Sequence, residues 1–109
     1  MQPLEILLYT APEGKTHIEV FFEEETFWLS QKKMAELFGV DVRTVNEHLQ
    51  NIFKTKELEE SSTIRNFRIV QKEGPRNVSR QLDFYNLDAI IAVGYRVNSM
   101  EATRLNMQS

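Results

Sequence analysis

One stretch limits what this chain can become more than any other: residues 31–50, QKKMAELFGVDVRTVNEHLQ. It reads as two short helices and a tight turn. In the first, Met34, Leu37 and Phe38 stand at i, i+3 and i+4, which lines them along one helix face. Ser30, just ahead, can cap that helix, its hydroxyl accepting from a free amide of the first turn. Gly39 follows the last apolar residue, where a left-handed backbone is easiest without a Cβ. Asp41 can cap a second helix with an apolar stripe of Val42, Val45, Leu49, Ile52 and Phe53. Two amphipathic helices joined by a short glycine-containing turn are the helix-turn-helix pattern, in which the second helix enters the DNA major groove.

The spacing carries more than helix plus helix. With Gln31 as position 1 of the helix-turn-helix template, Ala35 is the small residue at 5 and Gly39 the glycine at 9. Met34, Phe38, Val40 and Val45 then fill the apolar positions 4, 8, 10 and 15. Position 5 must be small because the second helix crosses there. Position 18, usually apolar, is His48, a departure that the adjacent Leu49 can cover. The competing reading is an ordinary helical hairpin with two core stripes.

The chain has 109 residues, enough for one domain with a single modest core. Its apolar and charged fractions, 41% and 27%, are those of an ordinary globular protein. It has no apolar run near the ~20 residues of a membrane span and no signal peptide pattern, so a cytoplasmic, membrane-free protein is expected. The absence of cysteine excludes disulfides and thiolate zinc sites. His17 and His48 lie in separate elements without ligand spacing, so no metal and no cofactor is expected. The net charge of −3 weighs against a strongly basic nucleic-acid binder. Its distribution softens that: residues 1–60 carry 6 basic and 12 acidic side chains, residues 61–109 carry 7 and 4. One face can meet phosphate while another stays acidic.

Before the paired helices, residues 5–9 (EILLY) read as a strand, residues 10–15 (TAPEGK) as a turn, and residues 17–22 (HIEVFF) as a half-buried strand. Residues 23–26 (EEET) turn the chain into a third strand at 27–29 (FWL), with Trp28 a core or strand residue. After them, residues 54–62 (KTKELEESS) form a polar loop with room for a helical turn. Residues 64–70 (IRNFRIV) and 78–85 (VSRQLDFY) make a hairpin around Gly74-Pro75. A hairpin in that place is what a winged helix adds. Asn86 caps a third helix over residues 86–98, with a core stripe of Leu87, Ile90, Ile91, Gly94 and Tyr95. Gly94 within a helix costs roughly 1 kcal/mol in propensity, which points to another element close by. Asn98-Ser99 can end that helix, leaving residues 99–109 as a tail, as in a truncated chain. The predicted class is therefore α+β: one winged helix-turn-helix-like domain over residues 1–109. It has N-terminal antiparallel strands at 1–29, the helix-turn-helix at 30–54 and the wing at 64–85.

Two segments, FWLSQKKMAELFGVDVRTVNEHLQNIF and FYNLDAIIAVGYRVNS, resemble the virulence protein RhuM family of bacterial proteins. That family is encoded on pathogenicity islands and mobile elements and is described as DNA-binding or of unknown function. The resemblance runs from Phe27 to Ser99, and NLDAIIAVGYRVNS is its most specific string. Family members continue into a longer helix, whereas the tail EATRLNMQS departs from that pattern. The resemblance implies a regulator-like DNA-binding domain and brings no catalytic residues, because the family has no settled activity.

If the second helix lies in a major groove, Val42, Arg43, Thr44, Asn46, Glu47 and Gln50 face base edges. Arg43 can fork onto guanine N7 and O6; Asn46 or Gln50 can pair with adenine; Val42 or Thr44 can touch a thymine methyl. Glu47 can accept from cytosine N4 or simply exclude wrong sites, and Arg43 can instead be a solvated arginine paired with Glu47 four residues later. Lys32, Lys33 and Lys54 flank the motif and can take phosphates, as can Arg68, Lys72, Arg76 and Arg80 on the hairpin. Each of these is also an ordinary surface charge. The alternative function is a protein-interaction module using the winged-helix surface, which suits the net acidity. No nucleophile elbow, P-loop, H-E-x-x-H or catalytic cysteine is present, so an enzyme is not expected, nor a small-molecule ligand. One motif touches few phosphates, so a homodimer or additional domains are expected for tight binding to double-stranded DNA.

Overall fold

The computed structural model describes the backbone of residues 2–10 and 14–108 and the side chains of residues 20–99. The fold is α+β. Strands β1 (Gln2–Thr10), β2 (Gly14–Glu23) and β3 (Thr26–Leu29) lead into helices α1 (Gln31–Phe38) and α2 (Val42–Lys54). A single helical turn, α3 (Glu60–Thr63), precedes strands β4 (Ile64–Glu73) and β5 (Arg76–Asn86) and the long helix α4 (Leu87–Gln108). The strands form one antiparallel sheet in the order β1-β2-β3-β5-β4. The expected turn over residues 10–15 falls largely on residues 11–13, outside the described residues.

Short β3 joins two long ribbons. It pairs with β5 only at Trp28↔Asn86 and Leu29↔Tyr85. One face of the sheet, through Val20, Leu29 and Tyr85, carries the helices. Met34 and Ala35 of α1, Val45, Leu49 and Ile52 of α2, and Ala89, Ile90, Val93 and Val97 of α4 complete that core. The alternation of side chains puts Phe21, Trp28, Phe67 and Phe84 on the other face. These rings meet edge to face or nearly so, Phe21–Phe84 at 5.3 Å, Phe67–Phe84 at 5.5 Å and Trp28–Phe67 at 5.7 Å between centroids. The Arg65 guanidinium lies 5.8 Å from both the Trp28 and the Phe67 ring.

Local rules explain most boundaries. The Lys33 amide donates to Ser30 Oγ at 3.2 Å, and the Ala89 amide to Asn86 Oδ1 at 3.2 Å, so both serve as caps. Gly39, at φ 67°, ends α1. The Val40 amide donates back to the Ala35 carbonyl at 3.0 Å. Asp41 holds the N-cap position of α2 with extended backbone, but its side chain makes no capping hydrogen bond. The end of α2 has the Schellman pair, Lys56 amide to Phe53 carbonyl at 3.2 Å and Glu57 amide to Ile52 carbonyl at 3.1 Å. Lys56, not glycine, takes the left-handed position at φ 64°.

Four expectations need correction. The hairpin strands run closer to the tip than residues 64–70 and 78–85, pairing as far as Glu73↔Arg76 around a two-residue Gly74-Pro75 turn. Val42 is 44% exposed, so it leaves the α2 core stripe. Asn98-Ser99 does not end the third helix, which continues through Gln108. Within α4, the buried stripe is Ala89, Ile90, Val93 and Val97, whereas Leu87, Ile91 and Tyr95 are exposed. Gly94 does admit a close neighbour: a Cβ there would lie 2.9 Å from Phe38 Cε1.

A candidate nucleic-acid interface

The outer face of α2 follows from its inner one. With Val45, Leu49 and Ile52 fully buried, the helical period turns Arg43, Asn46, Glu47 and Gln50 outward, and all four are exposed. Val42 stands exposed at the first turn, and Thr44 is half-buried. The sequence-predicted base-reading set is thus brought onto one helix surface, Thr44 at its margin. Three of its members are engaged. Arg43 Nε donates to Glu47 Oε1 at 3.3 Å, and Asn46 Oδ1 accepts from Gln31 Nε2 at 3.2 Å. Gln50 has no side-chain partner among the described residues.

The predicted phosphate set is less unified. Lys32 and Lys54 are exposed, Lys54 in the last turn of α2; Lys33 pairs with Glu36 at 3.5 Å. In the hairpin, strand register places Arg68 and Lys72 on the helix-bearing face, and Arg76 and Arg80 on the opposite face. Arg80 makes a two-pronged pair with Glu73, Nε to Oε2 at 2.5 Å and Nη2 to Oε1 at 2.8 Å. That pairing holds the Glu73 carboxyl below its ordinary range and raises the Arg80 guanidinium. Arg68, Lys72 and Arg76 have no ion pair among the described residues. The hairpin therefore offers two separate positive sites, not one array of four.

Three elements meet at Gln31. Its Nε2 also donates to the Tyr85 hydroxyl at 2.9 Å, tying the start of α1 to α2 and to β5. Burial raises the Tyr85 phenol, an effect that the Gln31 hydrogen bond opposes. An open groove of about 420 Å³ runs beside this point, between Ser30, Gln31, Lys32 and Lys33 on one side and Gln71, Leu82, Asp83 and Tyr85 on the other. Sequence reasoning does not find Tyr85 or the bridging role of Gln31. The two are 54 positions apart, and no local period links them.

Behind the outer face, His48 is half-buried, which lowers its pKa. The Arg96 charge on α4 lowers it further and the Glu47 carboxylate opposes this. Arg96 Nη2 lies 3.7 Å from Glu57, and its buried Nε has no hydrogen-bond partner among the described residues. Among the described residues no group of three His, Cys, Asp or Glu side chains could hold a metal ion, and no helix is long and apolar enough to cross a membrane.

Residues 62–107 match the sequence model of the Virulence protein RhuM family, the same family that the sequence resembles. The matched span takes in the β4–β5 hairpin and nearly all of α4. It reaches into the tail that sequence reading sets apart from the family pattern, and it does not include α1 or α2. No curated protein and no solved structure matches the chain significantly.

Proposed function

We propose that this chain binds double-stranded DNA, with α1 and α2 as a helix-turn-helix and the β4–β5 hairpin as a wing. In this reading it is a transcriptional regulator, or the DNA-binding head of a longer protein, working in the cytoplasm. The observation that carries it is the two-sidedness of α2. Three residues are fully buried on one face, and the other presents Arg43, Asn46, Glu47 and Gln50 to solvent. A helix of that kind, set on a neighbour through a left-handed glycine turn, fits a major groove and offers the side chains that read base edges.

The Arg43–Glu47 pair does not oppose this. An exposed ion pair is worth about 0.2–1 kcal/mol, whereas a bidentate arginine–guanine contact contributes about 1–3 kcal/mol, so Arg43 exchanges partners at a net gain. Among the cations, Lys32, Lys54, Arg68, Lys72 and Arg76 are the better phosphate contacts. Lys33 and Arg80 must first leave carboxylates.

The test is fluorescence-anisotropy titration of random-sequence duplex DNA between ~50 and ~200 mM salt. Affinity that falls steeply as salt rises supports phosphate contacts. No binding at the low-salt end rejects the proposal.

A second reading is favoured by one observation. Leu87, Ile91 and Tyr95, at 37%, 61% and 74% exposure, form an apolar stripe along the outside of α4. In this reading the chain is an interaction module whose occupant is a second copy of itself, which would also double the phosphate contacts of a DNA-binding unit. Light scattering that gives a monomer mass at tens of micromolar protein would remove that partner.

A further inference from the structure

Gln31 begins α1, and its side-chain nitrogen sits between two oxygens. It donates to the Tyr85 hydroxyl at 2.9 Å and to Asn46 Oδ1 at 3.2 Å. A primary amide nitrogen has two protons, so both are committed. Tyr85 is only 6% exposed and is fixed in the core, which anchors the bridge. Asn46 is therefore turned with its oxygen inward and its Nδ2 group outward. Among the polar residues of the α2 outer face, it alone is held by a different helix within the described residues.

We infer that Gln31 and Tyr85 are positioning residues that fix Asn46 as a hydrogen-bond donor, so that α2 selects guanine, not adenine, at the base it faces. The inference rests on the DNA-binding reading above. Adenine presents an acceptor, N7, beside a donor, N6, and pairing with both requires both ends of an asparagine amide. Oδ1 keeps a second lone pair, but Gln31 holds it turned toward α1, so the adenine N6 donor meets Nδ2, donor against donor. A buried polar group left unpaired is costly. Guanine presents two acceptors, N7 and O6, and no donor on that edge, so an outward Nδ2 proton finds a partner at either. Gln50, with no such restraint, keeps both amide ends free.

Two experiments on the full chain test this. In the free protein, nitrogen-15 NMR should show the Gln31 side-chain amide protons exchanging slowly with water and those of Asn46 exchanging fast. Tyr85→Phe or Asn46→Ala should each speed the Gln31 protons. Gln31 protons that exchange as fast as those of Gln50 would overturn the bridge.

The second experiment selects bound duplexes from a randomised pool. The base pair at which Asn46→Ala abolishes preference is the one Asn46 faces, and the wild type should prefer guanine there. Gln31→Glu supplies a carboxylate that accepts from the Tyr85 hydroxyl and from Asn46 Nδ2, which reverses the asparagine. Its preference should move by about tenfold toward a base that offers a donor, adenine or cytosine. Gln31→Ala frees both amide ends and should admit adenine. Matched thermal unfolding of each variant shows that the fold is intact. A wild-type preference for adenine or cytosine, or a preference unchanged in Gln31→Glu, overturns the inference. Duplex binding whose specificity ignores Asn46→Ala rejects the role of Asn46 and leaves the DNA reading standing. Absence of duplex binding rejects both.

Discussion

Helices α2 and α4 both bury one stripe against the same core, and their outer faces are opposites. Outside α2 stand Arg43, Asn46, Glu47 and Gln50; outside α4 stand Leu87, Ile91 and Tyr95. A polar outer face can meet a charged, hydrogen-bonding partner without stripping apolar surface. An apolar one gains only where water is excluded by another apolar surface. If both are interfaces, they serve different chemistries: nucleic acid on α2 and protein on α4.

The contrast can be broken most directly by trimming one residue of each. Leu49→Ala in α2 removes a fully buried side chain and should cost about 2–5 kcal/mol in denaturant unfolding. Ile91→Ala removes a comparable side chain that is 61% exposed, and in the monomer should shift stability by under ~0.5 kcal/mol. A large loss from Ile91→Ala in dilute protein would mean that the α4 stripe is not the free surface described.

Next in size is the contact that seats α4 on α1. Gly94→Val places atoms where Phe38 lies 2.9 Å from a Cβ, and should cost about 1–3 kcal/mol by overpacking. Relieving that crowding with Phe38→Leu in the same chain should recover part of the loss. On the functional side, Arg43→Ala should weaken a selected DNA site by about 1–3 kcal/mol and relax its base preference, with no effect on folding. Lys72→Ala should instead weaken all sequences alike.

The smaller effects sharpen the edges of α2. Lys56→Gly replaces a side chain at φ 64° and should raise stability by about 0.5–1 kcal/mol, read from the unfolding midpoint. His48 faces Arg96 across α2 and α4, and its folded pKa lies below the ordinary 6.5. The unfolded chain therefore binds the proton more readily, and stability is kept above pH ~6.5 and declines as pH falls through and below it. His48→Gln should flatten that part of the stability profile.

Much of this was legible in the residues, for identifiable reasons. Ser30, Gly39 and Asn86 are each the residue type that a helix end demands, and each stands at one. In α2 the large apolar residues after the first turn lie only where the core is, so a single period marks the buried stripe. In α4 the period is degenerate, because Leu87, Ala89, Ile90, Ile91, Val93, Tyr95 and Val97 cover most of the circumference. Either of two stripes could have been the core; the buried one carries Ala89, and Gly94 beside it is met by Phe38 of α1. Asn98-Ser99 resembles a stop signal, yet neither residue breaks a helix, and α4 continues. Glu24 and Glu25 gave a turn but not its form. Both have positive φ, 57° and 61°, the backbone of a tight hairpin turn that ordinarily calls for Asn-Gly. Arg65 reaches across from β4 to pair with Glu23 and Glu24, a contact between residues far apart in the chain. The Gln31 bridge was hidden for the same reason.

The narrowness of β3 has a mechanical meaning. The β4–β5 ribbon projects from its joint for nearly ten residues at about 3.3 Å each, so its Gly74-Pro75 tip is the end of a long lever arm. Two cross-strand pairs and the ring cluster around Trp28 form the fulcrum. A load at the tip reaches the rest of the molecule as torque on that fulcrum, one residue away from Ser30 and the start of α1. Trp28 and Leu29 are thus the joint through which the hairpin and the start of α1 are mechanically coupled.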